Sequence, residues 1–366
     1  MKRLSIFALI MCFVICAALL SGCSSAVVPV SSVKWKDGET LEYTVRRASD
    51  YELAYVGIYN AAKVNGEYVY KSAFAQIIPS KAEGVYTSTI TKTDFDGKEA
   101  WLLKTVLTMT ETYARADFGG KDSLYDVAKS KAKDGSNFYA DGDKLISKTS
   151  VTTECVFYSS NSLPAKSTRS VKSVFIGGKD ACEINDFTVT ATYDYSAKKP
   201  VLQTKNAAGL KETQKLKKST AAKTYDNEQL GFVLRGFSLK TLSTNSSTAL
   251  NVTDTTAGKV KSVTASVAKT YAFDAKLGGV PKTLDKDGKL VYYQDGDAYT
   301  DAYGNFVGVT DRKIAEVRLS VGNSVPVLYY FDAKNETSST NLQALVKMQD
   351  AYIVATITPT SLALIG

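Results

Sequence analysis

Apolar and polar residues alternate along much of this chain, and a two-residue period places successive side chains on opposite faces of a strand. Leu41, Tyr43 and Val45 alternate with Glu42, Thr44 and Arg46, and Val263, Ala265 and Val267 alternate with Ser262, Thr264 and Ser266. Ala315, Val317, Leu319 and Val321 alternate with Glu316, Arg318 and Ser320, and Thr188 to Tyr193 is β-branched and alternating. Less regular strand-like stretches lie near 53–64, 67–78, 84–92, 151–158, 171–176, 288–294, 324–331 and 342–357. Turn pairs separate many of them: Asn65-Gly66, Asp96-Gly97, Asp141-Gly142, Gly177-Gly178 and Asp287-Gly288. Such pairs supply the positive φ angles that tight hairpins need.

One segment has helical spacing instead. Leu230, Val233, Leu234 and Phe237 recur at helical intervals, Asp226 is placed to cap them, and Gln229 completes a capping-box-like pair. This predicts a helix over about 226–239, weakened by Gly231 and Gly236. Lys98 to Tyr113 reads either way, because Trp101, Leu102, Val106 and Met109 suit a helix while Thr105, Thr108, Thr110 and Thr112 suit a strand. Asp122 to Lys133 reads as one or two helical turns. The fold expected is mainly β: a large curved antiparallel sheet, half-barrel-like, with one or two helices packed on it.

The amino terminus departs from this pattern. Lys2 and Arg3 precede an apolar run, Ile6 to Leu20, shorter than the ~20 residues a membrane-spanning helix needs. The run ends in Leu20-Ser21-Gly22-Cys23, which resembles the lipobox of bacterial lipoproteins. That resemblance implies a signal peptide over 1–22, cleavage after Gly22, and a diacylglyceryl group on Cys23. Residues 23–32 would then be a lipidated tether, and residues 33–366 a β-rich soluble domain. The expected location is extracytoplasmic and lipid-anchored, in the cell membrane or the outer membrane, with the membrane reached through the Cys23 lipid.

The 366 residues carry 45 Lys and Arg against 37 Asp and Glu, and the excess is concentrated. Between Ser196 and Thr224, lysines 198, 199, 205, 211, 215, 217, 218 and 223 face a single acid, Glu212. This stretch either separates two β-rich halves or forms an exposed arm of one sheet. Lys211, Lys215, Lys217 and Lys218 are candidates to contact anionic surfaces. Nucleic acid is not an expected partner, because no aromatic residues interleave these lysines.

Histidine is absent, which excludes Ser-His-Asp and Cys-His catalytic units and His-ligated zinc. Cys155 and Cys182 remain beyond the leader and Cys23, and in an oxidising compartment they form a disulfide candidate, the alternative being two buried thiols. Ser266-Val267-Ala268-Lys269 matches a Ser-x-x-Lys pattern, yet it lies on a strand and lacks the partner motifs of penicillin-recognising enzymes. Asp285, Asp287, Asp295, Asp297 and Asp301 form an acidic stretch in no calcium-loop frame, and hairpin turns account for it.

Three motifs carry a further resemblance. Gly38-Glu39-Thr40-Leu41-Glu42-Tyr43, followed by Val56-Gly57, is similar to the opening of a family of uncharacterised bacterial envelope domains. Asp226-Asn227-Glu228-Gln229 with Leu234-Arg235 is similar to their mid-chain segment, and Val325-Pro326-Val327-Leu328-Tyr329-Tyr330 to their closing strands. The resemblance implies a half-open barrel like that of LolA/LolB-type lipoprotein carriers, with an apolar cavity. The function expected is non-catalytic, cofactor-free binding of an apolar or amphipathic ligand, such as a lipid or another envelope component. The alternative is a structural or adhesive protein contacting anionic cell-wall polymers.

Overall fold

The structure is a computed structural model that describes residues 35–57, 60–71, 77, 79–177, 182–206, 211–236, 247–255, 258–272, 281–292, 313–321, 327–332, 341–348 and 351–364. Strand β1 (Glu39–Arg47) leads into helix α1 (Asp50–Tyr55) and the hairpin of β2 (Asn60–Val64) and β3 (Glu67–Lys71). A meander follows: β4 (Lys81–Phe95), β5 (Lys98–Ala114), helix α2 (Asp122–Lys131), β6 (Phe138–Asp141), β7 (Lys144–Tyr158), β8 (Pro164–Ile176) and β9 (Cys182–Asp194). Next come β10 (Val201–Asn206), β11 (Lys211–Lys215), helix α3 (Lys218–Ala221), β12 (Thr224–Asp226) and helix α4 (Asn227–Val233). The remaining elements are β13 (Ser247–Asp254), β14 (Lys259–Ala272), β15 (Pro281–Leu284), β16 (Leu290–Tyr292), β17 (Lys313–Ser320), β18 (Val327–Asp332), β19 (Asn341–Met348), β20 (Ala351–Ile357) and helix α5 (Pro359–Leu364).

Sixteen strands form one sheet in the order β11-β10-β9-β8-β7-β5-β4-β1-β20-β19-β18-β17-β14-β13-β12, with β6 attached to β7. Its pairings are antiparallel except for β12 against β13. β1 lies between β4 and β20, so the first strand closes onto the last and the sheet is continuous from the amino-terminal meander to the carboxy-terminal strands. The lysine-rich stretch supplies β10, β11 and α3 at one end of that sheet.

Alternation decides which face each residue takes. On β5, the strand that read ambiguously, Trp101, Leu103, Thr105, Leu107, Met109, Glu111 and Tyr113 are buried. Lys104, Thr108 and Thr110 on the same strand are exposed. Helical spacing loses here because β5 pairs along its whole length with both β4 and β7, satisfying its backbone groups on both sides. On the outer face, hydroxyls pair across strands: Thr40 with Thr89 at 3.0 Å, Thr168 with Thr190 at 3.3 Å, and Ser170 with Thr188 at 2.9 Å. Such pairs suit a wet antiparallel surface and add a few tenths of a kcal/mol, up to about 1 kcal/mol each.

The sheet curls until its ends meet through side chains. Asp226, on end strand β12, accepts hydrogen bonds from Ser167 on β8 and Tyr193 on β9, each at 2.6 Å. The amide of Val260 on β14 donates to the Gln214 side chain on β11 at 3.1 Å. Gly258, in the turn between β13 and β14, has φ +64°, and a Cβ there would sit 2.4 Å from Thr204 Oγ1 on β10. Only glycine lets that turn reach the opposite edge.

The interior is layered along the axis. One end is an aromatic cluster of Trp35, Trp101, Phe157 and Phe232, with Trp35 edge-on to Trp101 and Phe157 at centroid distances of 5.7 and 5.1 Å. The other end is closed by α2, whose Tyr125 and Ala128 pack with Tyr113, Phe118, Phe138 and Leu145. Between them Tyr43, Val45, Leu107, Met109, Val151 and Val171 pack together. α1 covers part of the outer face: the Tyr55 hydroxyl donates to Glu316, a residue opposite in facing to the interior Val317 and Leu319.

Helix α4 is shorter than the sequence suggests. It ends at Val233 and tightens into a 3-10 turn over Leu234–Gly236, and residues 237–239 lie outside the described residues. Asp226 caps it as expected, accepting from the Glu228 amide at 2.9 Å. Gln229 does not close a capping box. Its amide donates to the Ser162 carbonyl at 2.7 Å and its oxygen accepts from Cys155, so interior partners claim it.

Candidate functional site

Helix α4 lies across the concave face of the sheet but does not fill it. Beneath it is a cavity of about 230 Å³. Its floor is Leu103, Thr105 and Leu107 of β5 with Val151 and Thr153 of β7, and its roof is Leu230, Gly231 and Phe232 of α4. Leu41 and Tyr43 of β1, Tyr86 and Ser88 of β4, Ala355 of β20 and Tyr329 of β18 complete the walls. Strand parity explains this lining, since these strand residues are inward-facing positions at a similar level.

Gly231 makes room for the cavity wall. A Cβ at 231 would lie 3.1 Å from Cε1 of Tyr329, so the glycine that weakens the helix admits the tyrosine ring. Tyr86 and Tyr329 are half-buried because their rings face the cavity rather than packed atoms. Burial pushes the phenols of Tyr43, Tyr86 and Tyr329 far above their ordinary range, so all three stay protonated at physiological pH.

Two ion pairs stand in the wall. Arg169 on β8 donates to Glu228 on α4 at 2.5 Å, and Thr153 donates to the other Glu228 oxygen at 2.9 Å. The Nε of Arg169 is buried without a hydrogen-bond partner among the described residues. Arg235, just after α4, grips Glu39 on β1 with both terminal nitrogens, and its guanidinium lies 4.4 Å from the centre of the Phe232 ring. Both pairs are largely shielded from water, where a charge is tolerated only beside its partner.

Asp226 fixes the roof. It is fully buried and accepts from Ser167, Tyr193, Thr255 and the Glu228 amide. Burial first, and then the nearby Glu228, push its carboxyl above the ordinary value, while the Ser167 and Tyr193 hydrogen bonds pull against that.

The three motifs that carry the envelope-domain resemblance converge here. Glu39 of the first pairs with Arg235 of the second, and Leu41, Glu228, Val327 and Tyr329 all line the cavity. Val325 and Pro326 lie outside the described residues. Arg169, Tyr86 and Thr153 went unnoticed in the sequence. Their only signal is parity: Arg169 falls between Ser167 and Val171 on the inward face of β8, where a charge needs a buried partner.

The disulfide expected between Cys155 and Cys182 is not formed, and both are buried free thiols. Cys155 pairs with Ser167 and Cys182 with Ile176, nine residues further along β8, which is ~30 Å at strand spacing. The turn near 161–164 joins β7 to β8, while Cys182 enters on β9 from the opposite end. Cys155 contacts the roof through Gln229 and is raised well above its ordinary range by burial; Cys182 is raised to about 11, again mainly by burial.

The lysines are exposed at the sheet's end. Lys211 stands directly opposite Lys205 and Lys215 opposite Val201, while Lys217 and Lys218 begin α3. None of them lines the cavity. Asp285 is spent on the β15–β16 turn, where one carboxylate oxygen accepts from the amides of Asp287 and Lys289 at 2.9 Å each. Asp295, Asp297, Asp301 and Cys23 lie outside the described residues. Ser266 and Lys269 sit on β14 across an irregularity in its pairing with β17, not on a helical turn.

No protein-family model matches the sequence, and no characterised protein does. Among solved structures, the chain is similar to a beta-barrel-like protein of a domain of unknown function from Brucella abortus. The identity is 10%, the TM-score 0.42, and the match covers 87% of this chain and 94% of that one.

Proposed function

We propose that this protein is a lipid-anchored, extracytoplasmic lipoprotein that binds an apolar or amphipathic ligand beneath α4 without transforming it. The cavity carries the reading. Its walls combine aliphatic and aromatic side chains with a few convergent polar groups, the composition of small-molecule sites. A volume of about 230 Å³ lies just below the range usual for small-molecule pockets, which suits a short chain rather than a long one. The neutral phenols and self-paired ions suit holding a ligand rather than proton transfer.

The anchor rests on Leu20-Ser21-Gly22-Cys23 and the leader before it. Fatty-acid labelling that disappears in Cys23→Ala supports it, and unchanged labelling refutes it. Mass spectrometry of organic extracts from natively purified, secreted Cys23→Ala protein tests the binding role. A co-purifying amphiphile is expected. A clean extract, together with salt-sensitive binding to cell-wall polymer that is lost when Lys211, Lys215, Lys217 and Lys218 are neutralised, would favour the adhesive role instead.

A further inference from the structure

We propose that the cavity selects its ligand by charge, taking an uncharged single-chain amphiphile whose polar group carries acceptor oxygens and refusing the acid or amine of the same chain. This rests on the binding role proposed above and specifies the class of ligand that enters.

The first observation is that the wall charges are already matched. Arg169 faces Glu228, and Arg235 faces Glu39. A carboxylate or ammonium head would bring an extra charge into a site walled largely by apolar side chains, where burial disfavours an unpaired charge. An ammonium head would find Glu228 and Glu39 already engaged, and a carboxylate drawn to Arg169 would place a second negative charge beside Glu228.

The second observation is a surplus of donors. The two Glu228 oxygens are taken by Arg169 and Thr153. Arg169 lines the cavity and gives Nη1 to Glu228, which leaves Nη2 as a donor with no acceptor among the described residues. The protonated Tyr329 phenol lines the cavity beside Gly231 and is a further donor. A head with carbonyl and hydroxyl oxygens would accept from these groups, while an alkane would leave them unmet. A glycerol monoester of a medium-length acid carries such oxygens on an uncharged head.

Calorimetric titration of full-length Cys23→Ala protein at pH 7 with 1-octanoylglycerol, octanoate and octylammonium tests this, each below its aggregation concentration. The expected result is that 1-octanoylglycerol binds at least ~10-fold more tightly than either charged analogue, a difference of about 1.4 kcal/mol. Octanoate or octylammonium binding as tightly as the ester overturns charge selection but leaves the binding role standing. Failure of all three to bind overturns both. Glu228→Gln gives a second arm, since its amide oxygen can still accept from Arg169 while the balancing charge is gone. It should move the preference toward octanoate by at least ~10-fold, and an unchanged order of affinities would contradict the proposal. Should that variant fold poorly, the three-ligand comparison decides alone.

Discussion

Replacing Asp226 probes the joint between the cavity roof and the sheet. Asp226→Ala removes the acceptor for Ser167 and Tyr193 at 2.6 Å, Thr255 at 3.2 Å and the Glu228 amide at 2.9 Å. A hydrogen bond to a charged group contributes about 1.5–3 kcal/mol, and loss of a helix cap costs about 1 kcal/mol. Relief from burying a carboxylate offsets part of that sum, leaving an expected loss of about 3–5 kcal/mol. Asp226→Asn keeps one acceptor oxygen and the cap, and should cost no more than about 1–2 kcal/mol at neutral pH. Urea denaturation followed by tryptophan fluorescence reads both, since Trp35 and Trp101 pack against Phe232 of α4 or its neighbours. The pH dependence has a definite sign. Asp226 has a raised carboxyl pKa in the fold, so the folded state binds its proton at higher pH than the unfolded chain, whose value is about 3.9. Its contribution to stability therefore grows as pH falls from above the folded value toward about 4, and the asparagine variant lacks it. The wild-type stability minus that of Asp226→Asn should rise on acidification through that window. Asp226→Ala within about 1 kcal/mol of wild type, or a difference that falls on acidification, would refute this account of the joint.

Gly231→Val should crowd Tyr329 and fill the cavity, weakening binding of 1-octanoylglycerol at least ~10-fold by calorimetry, because even a Cβ there would approach the ring to 3.1 Å. Gly258→Ala should separate the sheet's ends and lower stability by about 1–3 kcal/mol in urea titrations, since it combines φ +64° with a 2.4 Å approach to Thr204. Cys155 and Cys182 should resist a thiol reagent in the native protein and react, both of them, in denaturant without prior reduction; a requirement for reductant would show that they are joined.

The local features of this fold are written in local sequence. Alternation at 41–45, 188–193 and 262–266 gave strands because each had one face to bury and one to wet. Asn65-Gly66 and Asp96-Gly97 took positive φ at both residues, as their hairpins require. Asp226 capped a helix that followed it at once. What long-range pairing decides was not legible. Glu39 and Arg235 are 196 residues apart and meet only because β1 closes onto β20 while α4 crosses the concave face. The cysteine pairing failed for the same reason, since it needed β7 beside β9 and β8 lies between them. Nor did Gly231 announce itself as more than a weak helix residue, because Tyr329, which needs the space, lies on a strand ninety-eight residues later.

Tryptophan quenching by a brominated chain tests most directly whether a ligand enters beneath α4. The protein has two tryptophans, and both pack in the cluster that Leu103 and Phe232 share with the cavity wall. A monoacylglycerol carrying bromine near the end of a chain of about eight carbons should quench their fluorescence saturably, at one equivalent per protein, and Gly231→Val should lose the effect. Quenching that rises linearly without saturation, or that persists unchanged in Gly231→Val, would contradict the cavity as the binding site.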